Sequence, residues 1–310
     1  MNPAFSVVFL TTLIGAGQGL LFALYGAELA GRWGGIAMPD GRAFFAAGCV
    51  LVLLLTGGGL VASFFHLGRP ERAWRSASQW RTSWLSREVI ALPAFGGAVF
   101  LYGLAHWFGW GGTVALGALA TVLAIALFVS TGMVYACIKF LQEWASPLTV
   151  VNYFVLGTAS GLTLAAAFSA FAAPGLARPY ALAAAVATLA GLLTRSASLA
   201  RNARLRPKST LQSAIGVRHP RIVQKSQGFM GGSFNTREFF HGRSREFLRR
   251  VKWTFLLLAF VLPLVLLLAG TGAALLAVAF AIQYLGLVAE RWFFLAQANH
   301  PQNLYYQTIS

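Results

Sequence analysis

The chain is 310 residues long, 57% hydrophobic and only 10% charged, with a mean hydropathy of +0.67. Ordinary soluble domains carry about 25% charged residues, so that class is excluded. The formal net charge of +16 is confined to a few segments between long apolar runs.

Eight of these runs are long enough, as helices, to fill the roughly 30 Å hydrocarbon slab. They are predicted at about 4–30, 43–66, 88–108, 113–139, 148–173, 179–198, 251–271 and 273–293. None alternates with period two, which excludes a transmembrane β-barrel. The expected fold is an all-α integral membrane protein, a single domain over 1–310 built as an eight-helix bundle. The first run is expected to stay as a helix rather than be cleaved, since no basic stretch precedes it and no small-residue cleavage site follows. Gln18 lies near its middle, flanked by glycines in GAGQGL; it either faces a cavity or bonds across helices. In the second run, Thr56-Gly57-Gly58-Gly59 lets another helix or a ligand come close to the backbone. Glu28 and His106 lie toward the far ends of their helices. Cys49 and Cys137 stand alone in separate runs, with no CxxC and no metal spacing; both read as small hydrophobes. No metal site or iron–sulfur cluster is expected in the chain, and no histidine pair is spaced to hold a haem.

Between the second and third runs stands HLGRPERAWRSASQWRTSWLSRE, His66 to Glu88, with five arginines, two carboxylates, one histidine and three tryptophans. Burying a charge at mid-bilayer costs about 2.5–3.5 kcal/mol on insertion scales, so polar groups at such a boundary call for a reason. A titratable, aromatic cluster at the mouth of a helix bundle suits an amphipathic redox molecule such as a quinone. Quinone reduction takes two protons with two electrons, so each carbonyl oxygen needs a hydrogen-bond donor that can be reprotonated. A histidine near its ordinary pKa fills that role, and a carboxylate beside it raises the imidazole pKa and passes protons inward. His66 and Glu88 are the candidates, with Trp74, Trp80 and Trp84 placed to line a slot. Plainer readings stand beside these. Glu88 suits a helix N-terminus with Ser86 as its cap, His66 suits an interfacial bond to a loop carbonyl, and tryptophans anchor interfaces.

With eight helices, both termini share a face with the loops after the second, fourth and sixth runs. That face carries 21 of the 24 basic residues; the other has only Arg32, Arg42 and Arg178. The positive-inside rule places both termini and the His66–Glu88 loop in the cytoplasm. The largest loop, 199–250, begins as a basic run, ARNARLRPKST, suited to lipid headgroups. It continues as GVRHPRIVQKSQGFMGGSFNTREFFHG, whose Phe229, Phe234, Phe239 and Phe240 are foreign to disordered tails and point to a docking element. The C-terminal QANHPQNLYYQ has the same mixture, so a protein partner is expected on this face.

The opening MNPAFSVVFLTTLIGAGQGL, the HLGRPERA segment with WLSRE after it, the long basic loop and the closing ANHPQNLYYQ resemble the membrane-anchor subunit of dimethyl-sulfoxide-reductase-type enzymes, over essentially the whole chain. The resemblance implies an eight-helix protein, usually without haem, that anchors a four-cluster ferredoxin-like iron–sulfur subunit and a molybdopterin catalytic subunit and exchanges electrons with ubiquinone or menaquinone. It carries the functional positions onto His66, Gly68 and Arg72 of the H-L-G-x-P-x-R pattern and onto Glu88. The charge count departs from the dimethyl sulfoxide reductase arrangement, in which the corresponding loop faces the periplasm. It is similar to the branch of cytoplasm-facing sulfite dehydrogenases, as is the extended basic loop.

The expectation is therefore a quinone-binding anchor in a bacterial inner membrane, serving a complex that oxidises sulfite to sulfate. Clusters and molybdopterin belong to cytoplasmic partner subunits, lipid surrounds the anchor, and no nucleic acid is involved. His66 bonds one quinone carbonyl, Arg72 stabilises negative charge developing on the headgroup, and Glu88 replenishes the proton. Gly68, Trp74, Trp84, Ser86 and Gln18 complete the predicted pocket. The same residues would serve a menaquinol-oxidising S- or N-oxide or polysulfide reductase. A transporter is the rival from another class, although the broken mid-membrane helices typical of one are represented only by the glycines of the second run.

Overall fold

The computed structural model describes residues 1–34, 41–223, 239–301 and 303. The described part is an all-α bundle with eight helices long and apolar enough to cross a membrane. These are α1 (Phe5–Trp33), α2 (Gly41–Phe64), α3 (Trp84–Phe108), α4 (Thr113–Ala136), α5 (Pro147–Ala172), α6 (Pro174–Ala203), α8 (Arg245–Ala269) and α9 (Ala273–Ala296), with a short α7 (Leu211–Ile215) in the long loop. A 3₁₀ segment, Pro70–Gln79, lies between α2 and α3.

Several boundaries move for identifiable reasons. Helix α3 begins one turn before the expected start, because Ser83 rather than Ser86 caps it: the Ser86 N–H donates to Ser83 Oγ at 3.3 Å. Glu88 is therefore past the first turn. Helix α6 begins at Pro174, which as a first-turn proline loses no intrahelical bond, and it carries Pro179 inside. Helix α4 stops at Ala136, leaving Cys137 exposed just beyond it.

The chain folds as two four-helix groups. Helices α1 to α4 pack in sequence; α5, α6, α8 and α9 form the second group; and α1 against α5 is the principal seam. Small residues make that seam. Gly15 and Gly19 of α1 face Gly157 and Gly161 of α5, so closely that a Cβ on Gly19 would lie 2.5 Å from the Gly157 carbonyl oxygen. Such small-xxx-small faces let helices attract through close van der Waals contact where lipid supplies no hydrophobic drive. Gln18, from the same turn of α1, donates Nε2 to the Ala124 carbonyl of α4 at 2.7 Å. Of its two predicted roles the structure thus shows the interhelical bond.

The second group is held by a defect. Pro263 has no N–H to give the Ala259 carbonyl four residues earlier, and a five-residue π turn, Leu257–Val261, occupies this stretch of α8. Gln283 of α9 supplies the missing donor at 3.3 Å and also bonds Thr188 Oγ1 of α6 at 2.9 Å. Gly286 of α9 lets the widened backbone approach.

Of the segments expected to form a docking element, Phe229, Phe234 and most of the closing NLYYQ lie outside the described residues. Phe239 stacks on His300 with ring centroids 3.8 Å apart, so the end of the long loop meets the C-terminal segment. At the α1–α5 seam, Gly161→Leu should destabilise the fold by about 3 kcal/mol or more, at or beyond the upper end for ordinary overpacking. Gly26→Ala, with open space at its Cβ position, should be neutral. Thermal unfolding of the detergent-purified protein checks both.

Candidate functional site

The loop after α2 forms a strap across the basic face. Its 3₁₀ segment buries no residue and rests against α3. Arg87 fastens the strap's end by donating to the Trp80 carbonyl at 2.9 Å and the Arg81 carbonyl at 2.8 Å. The same guanidinium lies 4.2 Å from the Trp84 ring centroid, a cation–π contact that fixes the indole at the α3 entrance.

The predicted site residues fall into three places. His66, Gly68, Arg72 and Trp74 are on the exposed strap; Trp84, Ser86 and Glu88 are in the first two turns of α3; Gln18 is inside the bundle. His66 makes no side-chain hydrogen bond to a described residue, and no carboxylate stands beside it. Its pKa is accordingly lowered, by partial desolvation against its neighbours, and not raised by Glu88. The imidazole is neutral at pH 7, with one nitrogen donating and one accepting. Among the described residues Arg72 meets only Glu71, at 3.9 Å and with both side chains exposed, a pairing of little energetic consequence that leaves its donors available. Gly68 has open space at its Cβ position, so no close contact requires a glycine there. Trp74 is exposed, with the Arg75 guanidinium 5.4 Å from its ring centroid.

Glu88 turns inward. Its Oε1 accepts a 2.6 Å hydrogen bond from Thr131 of α4. One turn further along α4, Tyr135 lies within electrostatic reach of Glu88 and of Arg291. Tyr135 stacks on Tyr153 of α5 at 5.5 Å, and the Arg291 guanidinium of α9 sits 3.7 Å from the Tyr153 ring centroid. Beyond it, Glu290 lies 3.8 Å from Arg291 and 2.7 Å from Arg195 of α6. Arg195 and Glu290 are each only 1% exposed. A succession of polar side chains thus leads from Glu88 into the second group, among Trp144, Phe255, Phe293 and Phe294.

Two guanidiniums against one carboxylate leave the inner end of this row with one excess positive charge. Thr131, Tyr135, Tyr153, Arg195, Glu290 and Arg291 are absent from the predicted site. The signal for the charged three was present: Arg195 and the Glu290-Arg291 pair stand close to the ends of apolar runs, where charges read as topology markers instead of buried partners.

Removing one partner of a buried pair costs about 3–5 kcal/mol, whereas replacing the whole pair by apolar groups is often neutral. Glu290→Gln should therefore lower the unfolding midpoint sharply, and adding Arg195→Met should recover much of the loss. Thermal unfolding of the single and double variants measures this.

Comparison with known proteins agrees with this architecture. The chain is 52% identical to a protein of Allochromatium vinosum named as one of the subunits of sulfite dehydrogenase, over an alignment covering all of both chains. Residues 2–222 match the family described as DMSO reductase anchor subunit (DmsC). With eight membrane-crossing helices and a match over most of its length, the chain belongs to the DmsC family of DMSO reductase anchor subunits.

Proposed function

We propose that this membrane anchor binds quinone beneath the His66–Glu88 strap and passes it electrons from an iron–sulfur partner docked on the basic face, within a complex that oxidises sulfite. The observation that carries the reading is Glu88: a carboxylate turned into the bundle directly below an exposed strap of donors. The name of the Allochromatium vinosum relative supports sulfite as the reductant, and the placement of basic residues supports a cytoplasmic position for this face. The net reaction balances as sulfite, water and quinone giving sulfate and quinol.

The donor set fits an oxygen-bearing ring. When bound, the quinone accepts two electrons and two protons. His66 offers a neutral imidazole that donates one hydrogen bond and takes a proton from water. Arg72 supplies a guanidinium whose only described ion-pair partner is exposed. Trp84, pinned by Arg87, closes one side of the entrance. Glu88 holds a proton-exchanging group out of bulk water, and Thr131 orients it. Proton uptake from the face that receives the electrons requires no transfer across the membrane by this subunit.

The test is steady-state reduction of a short-chain ubiquinone analogue by sulfite, using the complex purified through a tag on this chain. Turnover is expected. Recovery of molybdenum and iron without sulfite activity would instead favour a quinol-oxidising reductase, and recovery of neither would remove the anchor function. His66→Gln should leave assembly intact and lower turnover about 100-fold, the lower end for general acid–base groups. Because the His66 pKa is lowered, the neutral form persists on acidification to below the ordinary value of about 6.5. The wild-type rate should therefore show an acidic limb below that value, absent in His66→Gln. Unchanged turnover in this variant would remove His66 from the site.

A further inference from the structure

At the face opposite the strap, Glu28 of α1 is 4% exposed and engaged on both oxygens. Oε1 accepts from the Thr113 hydroxyl and lies 3.5 Å from Arg32 Nη2; Oε2 accepts from the Tyr102 hydroxyl at 2.8 Å and faces His106 Nε2 at 3.6 Å. Arg32 is further tied to Thr113 Oγ1 at 3.0 Å. The His106 ring is clamped against Phe45, with centroids 4.2 Å apart. Over these groups opens a cavity of about 350 Å³, also lined by Arg42 and Trp110.

Arg42 is the telling residue. It enters from the first turn of α2, and its guanidinium runs beside Gly109, the left-handed C-cap of α3 (φ +69°). A Cβ at Gly109 would stand 3.0 Å from Arg42 Nη2, so glycine both turns the chain and leaves space for the guanidinium. Among the described residues Arg42 meets no acceptor and no carboxylate. Among the described residues, Arg32 and Arg42 together exceed Glu28 by one positive charge. The carboxylate has no oxygen to spare, so what the cavity presents to a ligand is donors: the Arg42 guanidinium, the remaining Arg32 N–H groups and the Trp110 indole.

That inventory selects an anion with several acceptor oxygens, for which guanidinium groups are suited by their fork of N–H donors. The depth narrows it further. The cavity lies where α1 ends and α2 begins, beside the short α3–α4 turn, and Trp33, Trp107 and Trp110 are exposed at this level, as interfacial tryptophans are. Phosphate groups of lipids occupy that level. We propose that this cavity binds a phosphate group, with the glycerophosphate headgroup of an anionic phospholipid as its occupant, held by Arg42 and Arg32 over the saturated Glu28.

The test is native mass spectrometry of the delipidated complex titrated with short-chain phosphatidylglycerol, alongside inorganic phosphate as a competitor. Saturable binding of one lipid, displaced by phosphate, is expected. Arg42→Gln should weaken it at least ten-fold, and Arg42→Lys, which keeps the charge but not the fork, by less. Arg178→Gln, at the third basic residue of the same face, should bind like the wild type. Phosphate binding without lipid binding would keep the anion site and assign it to a free ion. No saturable binding of either ligand to the wild-type complex would overturn the proposal, whatever the variants do. So would equal losses in Arg42→Gln and Arg178→Gln.

Discussion

The close approach of α1 to α5 is the constraint on which the rest of the structure depends. Gly15 and Gly19 meet Gly157 and Gly161 with almost no side chain between the two backbones, and Phe128 of α4 wedges its ring against Gly157. Three helices thereby meet at one level. Tyr153 lies one turn before Gly157 on α5, and the fixed register carries it against Tyr135 of α4. Without that contact the polar row from Glu88 to Arg195 would have no way across the seam. The same closeness leaves Gln18 with a backbone carbonyl as its partner.

Charge is distributed between the two faces in complementary ways. Near the basic face, Glu290 is shared by two arginines, and Glu88 lies on the other side of two phenol rings, bonded to Thr131. At the opposite face, Glu28 is enclosed by two hydroxyls, an arginine and a histidine, and Arg42 stands exposed beside them. Both arrangements set positive charge against a buried carboxylate, which a membrane interior otherwise penalises. They differ in their surroundings: Glu290 is enclosed between α6 and α9, whereas Glu28 borders a cavity that opens at the end of the bundle.

Much of the fold was legible because its determinants are local. Apolar run length and the absence of period-two alternation define eight helices without knowledge of their partners. The glycines around Gln18 and before His66 announce close packing, though not which helix approaches; the structure brings α5 to Gly15 and Gly19 and α2 to Gly17, while Gly59 stands against Leu10 and Ile14 of α1. Of the proposed site, the sequence offered only the strap. Glu88 and His66 stand out because titratable groups at a run boundary are rare. Nothing local reveals that Glu88 turns toward Thr131, or that His66 remains apart from it, since side-chain direction is set by the register of α3 on α4. Arg195, Glu290 and Arg291 were hidden for a related reason. Arg195 is far in sequence from the other two and meets Glu290 only when α6 and α9 are brought together, and each alone resembles an ordinary helix-end charge. The π turn of α8 is intermediate: Pro263 marks a lost hydrogen bond, but Gln283, which replaces it, is identifiable only in three dimensions.

The central claim is that quinone binds under the strap, and the most direct measurement is photoaffinity labelling of the purified complex with an azido-quinone, followed by peptide mapping. The account predicts saturable label within the segment from His66 to Glu88 or on the facing turns of α4 around Thr131, displaced by excess unlabelled quinone. Displaceable label confined to the opposite face, or to a partner protein, would contradict it.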